Sequence, residues 1–147
     1  MTLALAACGF TPVYAPGGAG ATLQNRVLVD PPVDRAGFLL VRRLEERLGR
    51  ASDAAYRMGI DLDIREEARA IDPDGDIRRF QLIGSATYTL VDSASGAVVR
   101  SDTVDNFVGY SATGTTVATV AAQRDAQERL MTILADEIVL QLQASAL

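Results

Sequence analysis

The most informative absences in this chain are those of chemically reactive side chains. The sequence has no histidine, lysine or tryptophan, and its single cysteine is Cys8. Most general bases and most nitrogen or sulfur nucleophiles are therefore missing, and only carboxylates, hydroxyls and tyrosines remain for catalysis. One cysteine also excludes an internal disulfide. The composition predicts that the protein is not an enzyme, and a hydrolase built on serine or carboxylate side chains is the remaining catalytic alternative.

Basic charge and long apolar runs are also scarce. All 14 basic residues are arginine, and together with 19 acidic residues they leave a net charge of −5. A nucleic-acid-binding domain carries a basic stripe, so we expect no nucleic-acid partner. The chain has no run of about 20 apolar residues, and no transmembrane helix is predicted. With 147 residues, one domain is expected.

No metal or cofactor is predicted. Asp72, Asp74 and Asp76 have the spacing that begins a calcium-binding loop. Such a loop also needs glycine at its sixth position and an acidic residue at its twelfth. Ile77 and Ile83 occupy those two positions, so the calcium-loop hypothesis is rejected.

The sequence Leu5-Ala6-Ala7-Cys8, followed by Gly9, has the form of a bacterial lipobox. A lipoprotein signal peptidase accepts small residues before a cysteine whose thiol has been lipidated. Only Met1–Leu5 precede the Ala6-Ala7-Cys8 end of the box, fewer than the apolar region of a signal peptide needs. We therefore expect residues 1–8 to be a truncated signal peptide and lipobox, with lipidation at Cys8. The alternative is a chance match in an alanine-rich sequence.

Residues 9–24 are rich in glycine and proline, which favours a flexible tether over a helix or a central strand. Phe10, Val13 and Tyr14 complicate this interpretation, because a tether needs no large apolar groups. They are equally consistent with packing against the domain or against a partner. Residues 25–147 are predicted to form a single α+β domain.

A short strand and a helix open the predicted domain. The β-type run Val27–Asp30 is stopped by Pro31-Pro32, since neither proline can donate within a central ladder. Asp34 is placed to cap the helix that follows, and Gly49 to end it. The predicted apolar stripe of this helix comprises Phe38, Val41, Leu44 and Leu48.

Alternating apolar and polar residues indicate three further strands. The alternation is clear from Ile60 to Ile64, and Asp72–Asp76 has the composition of a hairpin turn. The next strand is unusually long and contains Gly84, a predicted bend or bulge. Val98–Phe107 forms the fourth strand, with a largely polar outer face.

A long helix is predicted to end the chain. Thr113–Thr116 supplies capping hydroxyls, and no proline or glycine follows. Its apolar stripe comprises Ala121, Leu130, Leu134, Ile138 and Leu142.

This order of elements predicts a two-layer α+β sandwich. A four-stranded, mostly antiparallel sheet carries two helices on one face, in the order β-α-β-β-β-α. The opposite sheet face is rich in serine, threonine and charged residues and is left for solvent or a partner. Thr87 and Thr103 lie on that face and are candidate partner-contact residues.

Arg78 and Arg79 form the one basic feature with a plausible binding role. They follow the acidic turn at the tip of the long hairpin, where both side chains can converge on one anion. The guanidinium fork suits phosphate because it donates two parallel hydrogen bonds. The alternative is local neutralisation of Asp72, Asp74 and Asp76.

Two short motifs carry a resemblance to a known family. The sequence Cys-Gly-Phe-Thr-Pro-Val-Tyr at Cys8–Tyr14 and the helix sequence of Val41–Gly49 resemble those of the LptE lipopolysaccharide-assembly lipoproteins. The residue after Cys8 is Gly9, not the aspartate that resembles an inner-membrane retention signal, so sorting to the outer membrane is expected.

The resemblance implies an outer-membrane lipoprotein, lipid-anchored on the periplasmic face. It would plug the large β-barrel LptD, assist its assembly and bind lipopolysaccharide. The family's basic contact positions match no motif in this sequence, so Arg78 and Arg79 are candidate ligand contacts from their position at the hairpin tip and not from the resemblance. The net negative charge favours the plug role over lipopolysaccharide carriage. The alternative is a periplasmic accessory lipoprotein of an ABC-type lipid transporter.

Overall fold

The computed structural model describes residues 18–71, 77–112 and 114–144. Those residues form helix α1 (Ala19–Leu23), strand β1 (Val27–Val29), helix α2 (Arg35–Leu48), strands β2 (Tyr56–Ile71), β3 (Ile77–Asp92) and β4 (Val98–Ser111), and helix α3 (Thr116–Ala144). The predicted α+β order is confirmed, and α1 precedes it.

The four strands form one sheet in the order β1-β2-β3-β4. β3 is antiparallel to both of its neighbours, whereas the short edge strand β1 is parallel to β2. Pro31 and Pro32 follow β1 almost at once and have no backbone N–H to donate, which explains why its pairing is short. The predicted mostly antiparallel sheet is confirmed.

The limits of α2 are set by the two predicted capping residues. The side chain of Asp34 accepts a hydrogen bond from the Gly37 backbone N–H at 2.7 Å, which satisfies one unpaired donor of the first turn. Gly49 ends the helix with φ of 75°, a backbone conformation that favours glycine.

Helices α2 and α3 cover the same sheet face and run parallel to each other. Arg42 of α2 contacts Glu128 of α3 at 3.1 Å, and Arg47, one turn later, contacts Asp136 at 3.0 Å. Contacts that advance together along both helices indicate a parallel pair.

The domain has two distinct ends. At the carboxyl end of α2, the backbone N–H of Asn25 donates to the Leu48 carbonyl at 2.7 Å, which places α1 there. At the other end, β2 ends and β3 begins, and Gln123 near the start of α3 bonds to Glu66 at 2.8 Å. We call these the α1 end and the hairpin end. The predicted turn at 72–76 lies outside the described residues.

The core lies between the sheet and the helices. Alternate strand residues point into it, as expected for a sheet with one covered face. Its largest fully buried side chains include Met58, Tyr88, Leu90, Leu130, Leu134 and Ile138.

Two residues of the predicted helix stripes are exposed. Phe38 is 55% exposed, and Leu39 and Leu40 are buried instead. α2 lies in the angle between the sheet and α3, so its buried arc is centred near Leu40 and Leu44 and faces away from Phe38. Ala121 of α3 is also exposed, and its neighbour Ala122 packs against the core instead.

Gly84 does not form a bulge, which was one of the two structures predicted for it. The register of β3 is continuous through Gly84 and shifts only at positions 68–71 of β2 and between Leu90 and Val91. A Cβ atom at Gly84 would lie 3.0 Å from a Leu134 methyl and 3.1 Å from a Leu130 methyl. This glycine therefore lets α3 approach the sheet.

Helix α1 lies within the range 9–24 in which a tether is predicted. Leu23 is fully buried, so the last residues of that range pack onto the domain. The physical reason is the apolar side chain of Leu23, which fills the end of the core beside α2 and α3. The earlier part of the predicted tether lies outside the described residues.

Candidate functional site

The sheet face that points away from the helices carries a ladder of hydroxyl groups; we call it the outer sheet face. Thr87 of β3 and Thr103 of β4 are directly paired, with 2.9 Å between their Oγ1 atoms. Thr89 and Ser101 form the next pair, with 3.1 Å between their hydroxyl oxygens. The side chains of such non-hydrogen-bonded backbone pairs approach closely, which explains both contacts.

Carboxylates flank the hydroxyl ladder. Asp61 of β2 is the register partner of Thr87, and Asp63 is the partner of Ser85, whose other neighbour is Asp105 of β4. All three carboxylates are exposed. Across residues 18–71, 77–112 and 114–144, no group of three or more acidic or other ligating residues is arranged to hold a metal ion.

Toward the hairpin end the outer sheet face changes from acidic to basic and aromatic. A cleft of about 370 Å³ lies there, lined in part by Arg69, Arg79, Phe107 and Gly109. Gly109 is the register partner of Gln81 and has no side chain, which leaves room between Phe107 and the arginines. Phe107 is 62% exposed, an unusual setting for an aromatic ring.

The arginines of this cleft are held by neighbouring polar groups. Arg69 donates from Nε to the Gln81 side-chain oxygen, and its guanidinium lies 3.2 Å from Glu67. Arg79 is exposed and pairs across the sheet with Ser111. The cleft thus combines two guanidinium groups with an apolar ring.

An aromatic pair lies behind the cleft, on the helix-covered face of the sheet. The rings of Phe80 and Tyr110 are stacked with centroids 5.3 Å apart. The Tyr110 hydroxyl donates to Glu66 at 2.8 Å, and Gln123 donates to the same carboxylate atom. Burial, and then this hydrogen bond, raise the pKa of Tyr110 to about 12. The phenol therefore stays protonated and anchored throughout the physiological range.

The structure brings only some of the predicted site residues together. Thr87 and Thr103 are in contact on the outer sheet face. Arg79 lines the cleft, whereas Cys8 and the side chain of Arg78 lie outside the described parts of the chain. The predicted convergence of Arg78 with Arg79 is therefore not tested.

Sequence reasoning missed Arg69 and Phe107. Arg69 is the unpaired residue at a register shift between Ala68 and Ala70, and the hairpin pairing of Ala70 with Arg79 is the signal that could have found it. Phe107 lies within the predicted fourth strand, on the same face as Thr103, but its position beside Ile83 depends on the register of β3 with β4.

The outer sheet face carries hydroxyl, carboxylate and guanidinium groups, which can make many directional hydrogen bonds. It also carries the exposed ring of Phe107. No helix in the part of the chain that the structure describes is long and apolar enough to cross a membrane. The fold and this face define the class of small two-layer α+β domains with a broad polar sheet face.

Comparison with known proteins places the chain within that class. The sequence model described as "LptE: Lipopolysaccharide-assembly" matches residues 21–142. The chain belongs to the LptE family of lipopolysaccharide-assembly proteins. Members of this family are lipoproteins associated with the outer membrane. No curated protein sequence matches the chain.

Solved structures share the fold. A putative lipoprotein from Caulobacter crescentus is 29% identical, with a TM-score of 0.71 over 85% of this chain and 92% of its own. The rare lipoprotein B of Shewanella oneidensis is 15% identical, with a TM-score of 0.59 over 80% and 91%. A minor lipoprotein of Acinetobacter baumannii is 17% identical, with a TM-score of 0.58 over 83% and 91%.

Proposed function

We propose that this protein is a lipid-anchored outer-membrane assembly factor that plugs the lipopolysaccharide-translocating β-barrel LptD and assists insertion of lipopolysaccharide. The observation that carries the proposal is the family match over residues 21–142. The anchor is the lipid proposed on Cys8, since each buried CH₂ contributes about 0.8 kcal/mol and two chains are needed for stable attachment.

The outer sheet face has the polarity that a plug requires. The interior of a large outer-membrane barrel is polar. The hydroxyl pairs Thr87–Thr103 and Thr89–Ser101, with the adjacent carboxylates, offer donors and acceptors to such a wall. Few apolar side chains interrupt this part of the sheet. This face is therefore the proposed contact with the barrel.

The basic cleft at the hairpin end is the proposed contact with lipopolysaccharide. Arg79 and Arg69 lie beside Phe107, so phosphate and apolar groups of one ligand can be bound together. Arg78 precedes Arg79 in β3 and is retained as a proposed contact from its position in the chain. Because the protein is acidic overall, lipopolysaccharide binding is ranked below the plug role.

Co-purification from outer membranes tests the plug. Thr87→Arg and Thr103→Arg place long charged side chains on the outer sheet face, and each should reduce recovery of the barrel while the fold is kept. Leu140→Arg, at a position of α3 that is 65% exposed, is the control and should leave recovery unchanged. Normal recovery with both sheet variants refutes contact through this face. Recovery of an inner-membrane permease instead of the barrel supports an ABC-transporter accessory.

Binding of purified lipopolysaccharide at low salt tests the cleft. Charge-assisted hydrogen bonds contribute about 1.5–3 kcal/mol each, so the double change Arg78→Ala with Arg79→Ala should weaken binding at least about tenfold. Arg69→Ala should have a similar effect. Arg129→Ala, an exposed arginine of α3 paired with Asp125, is the control. Equal affinity of all variants refutes the cleft as the ligand site.

Fractionation tests the anchor. Cys8→Ser should release the protein from the membrane into the soluble periplasmic fraction, while the folded domain and its affinity for the barrel remain. A Cys8→Ser variant that stays in the membrane in cells lacking the barrel contradicts lipidation at Cys8.

A further inference from the structure

Most of the outer edge of β2 has no strand beside it among the described residues. β1 pairs with β2 only from Val27 with Tyr56 to Val29 with Met58. β2 continues to Ile71, so the greater part of a 16-residue strand forms an edge of the sheet.

The backbone hydrogen bonds between β1 and β2 identify which groups face this edge. The N–H of Tyr56 donates to Arg26 and the carbonyl of Met58 accepts from Asp30, at 3.0 and 2.9 Å, so both residues point toward β1. Backbone direction alternates along a strand. Ile60, Leu62 and Ile64 therefore present their N–H and carbonyl groups to the edge, whereas Asp61 and Asp63 bond to β3.

A groove with apolar side chains on both of its walls and aspartates at its rim adjoins the same stretch. A cavity of about 150 Å³ separates the edge of β2 from the amino end of α2, and its apolar lining includes Pro32, Val33, Val41, Ile60 and Leu62. Asp30, Asp34 and Asp61 also line it. An apolar side chain that enters from an added strand would contact apolar groups of β2 and α2, and a basic one would lie close to these carboxylates.

On the outer sheet face, opposite the groove, this part of β2 carries acidic side chains. Asp61 and Asp63 are exposed and point to the outer sheet face. Asp63 lies 3.5 Å from Arg65 of its own strand, and no ion pair of Asp61 is found within the described ranges. An added strand would place every second side chain directly beside these carboxylates, where opposite charges attract.

We propose that the edge of β2 from Ile60 to Ile64 binds an extended segment of a partner protein as a fifth strand. The segment has apolar side chains at alternate positions, facing the groove, and arginine or lysine between them, facing Asp61 and Asp63. Main-chain hydrogen bonds supply affinity and the groove supplies specificity, as in other strand-addition complexes.

A second copy of this chain suits the edge less well. Antiparallel pairing of two β2 edges centred on Leu62 would set Asp61 of each copy beside Asp63 of the other. Like charges directly opposite each other destabilise a sheet. The proposal does not depend on lipopolysaccharide or on the barrel, so its failure leaves the proposed function intact.

Amide hydrogen exchange with a synthetic probe tests the proposal. The probe is an octapeptide in which valine and arginine alternate. In the free protein, the amides of Ile60, Leu62 and Ile64 should exchange quickly, and saturating peptide should slow them at least tenfold. The amides of Asp61 and Asp63 are already bonded to β3 and should not change. Unchanged exchange at all five positions with millimolar peptide refutes the proposal.

Reversing the charges at Asp61 and Asp63 supplies the specificity control. The double change Asp61→Lys with Asp63→Lys should weaken binding of the arginine peptide about tenfold. A peptide with glutamate in place of arginine should then bind this variant better than it binds the wild type. Asp105→Lys, on β4, is the matched control and should leave affinity unchanged. The amides of Ile60 and Leu62 could instead become protected from exchange without peptide as the protein concentration rises. That result would assign the edge to a second copy of the chain and overturn the proposal.

Discussion

Replacement of Gly84 by valine tests whether close approach of α3 to the sheet determines stability. A Cβ atom at this position would lie 3.0 Å from Leu134 Cδ1 and 3.1 Å from Leu130 Cδ2. Carbon atoms pack best at about 3.5–4.0 Å, so even the first added carbon overlaps the helix side chains. Valine adds two further methyl groups to the same space.

Two opposing effects set the magnitude. Overpacking a core costs about 1–3 kcal/mol. Loss of glycine from a strand returns about 0.5–1 kcal/mol of conformational entropy. We therefore expect Gly84→Val to lower the free energy of unfolding by about 1–2 kcal/mol, and Gly84→Ala to have nearly no net effect because the leucine methyl groups can move aside.

Urea unfolding followed by far-ultraviolet circular dichroism measures the change, since the chain has no tryptophan. Gly59→Val is the matched control, because its Cβ atom would meet only Asp30 Oδ2 at 3.6 Å on the outer sheet face. Adding Leu134→Ala to Gly84→Val should give less than the sum of the two single effects. Equal stability of Gly84→Val and Gly59→Val would refute the reasoning.

Three further predictions concern polar contacts. Asp136 accepts hydrogen bonds from Arg43 and Arg47 at 3.0 Å and joins α2 to α3, so Asp136→Ala should lower the free energy of unfolding by about 1–2 kcal/mol, as measured in urea. Asp125→Ala removes only an exposed ion pair with Arg129 and should change the free energy of unfolding by less than about 0.5 kcal/mol. The pKa of Tyr110, raised from 10.0 to about 12, gives stability that is complete below pH 10 and lost as pH rises toward 12. Ultraviolet titration should show one late-ionising phenol that is missing in Tyr110→Phe. The Ser95 backbone and hydroxyl, and then the Ala94 backbone, lower the pKa of Asp92 below 3.8, so its contribution is present above that pH and lost as pH falls further. Asp92→Asn should flatten the acid limb of the stability curve, and an unchanged limb contradicts the assignment.

The strand pattern and helix ends of this protein could be predicted because they depend on local signals. Alternation of apolar and polar residues placed Ile60 and Leu62 on the covered face. Capping preferences placed Asp34 and Gly49 at the two ends of α2. Phe38 was misplaced because helical spacing alone does not say that α2 contacts two surfaces at once.

The candidate site depends on register, which short patterns specify weakly. Thr87 and Thr103 were assigned to one face by alternation, but their direct contact requires the exact pairing of β3 with β4. Arg69 joins Arg79 only after β2 folds back on β3. Gly84 was misread because a glycine that relieves packing looks like one that bends a strand.

The two ends of the domain are separated by a fixed distance. β2 has 16 residues, which at about 3.3 Å per residue gives a length of about 50 Å. A bilayer with its headgroups is about 40–45 Å thick. The proposed anchor residue, Cys8, precedes α1 in the sequence, whereas the cleft with Arg69 and Arg79 lies at the hairpin end. Strand length therefore sets how far the cleft lies from the α1 end, a span comparable with a whole membrane.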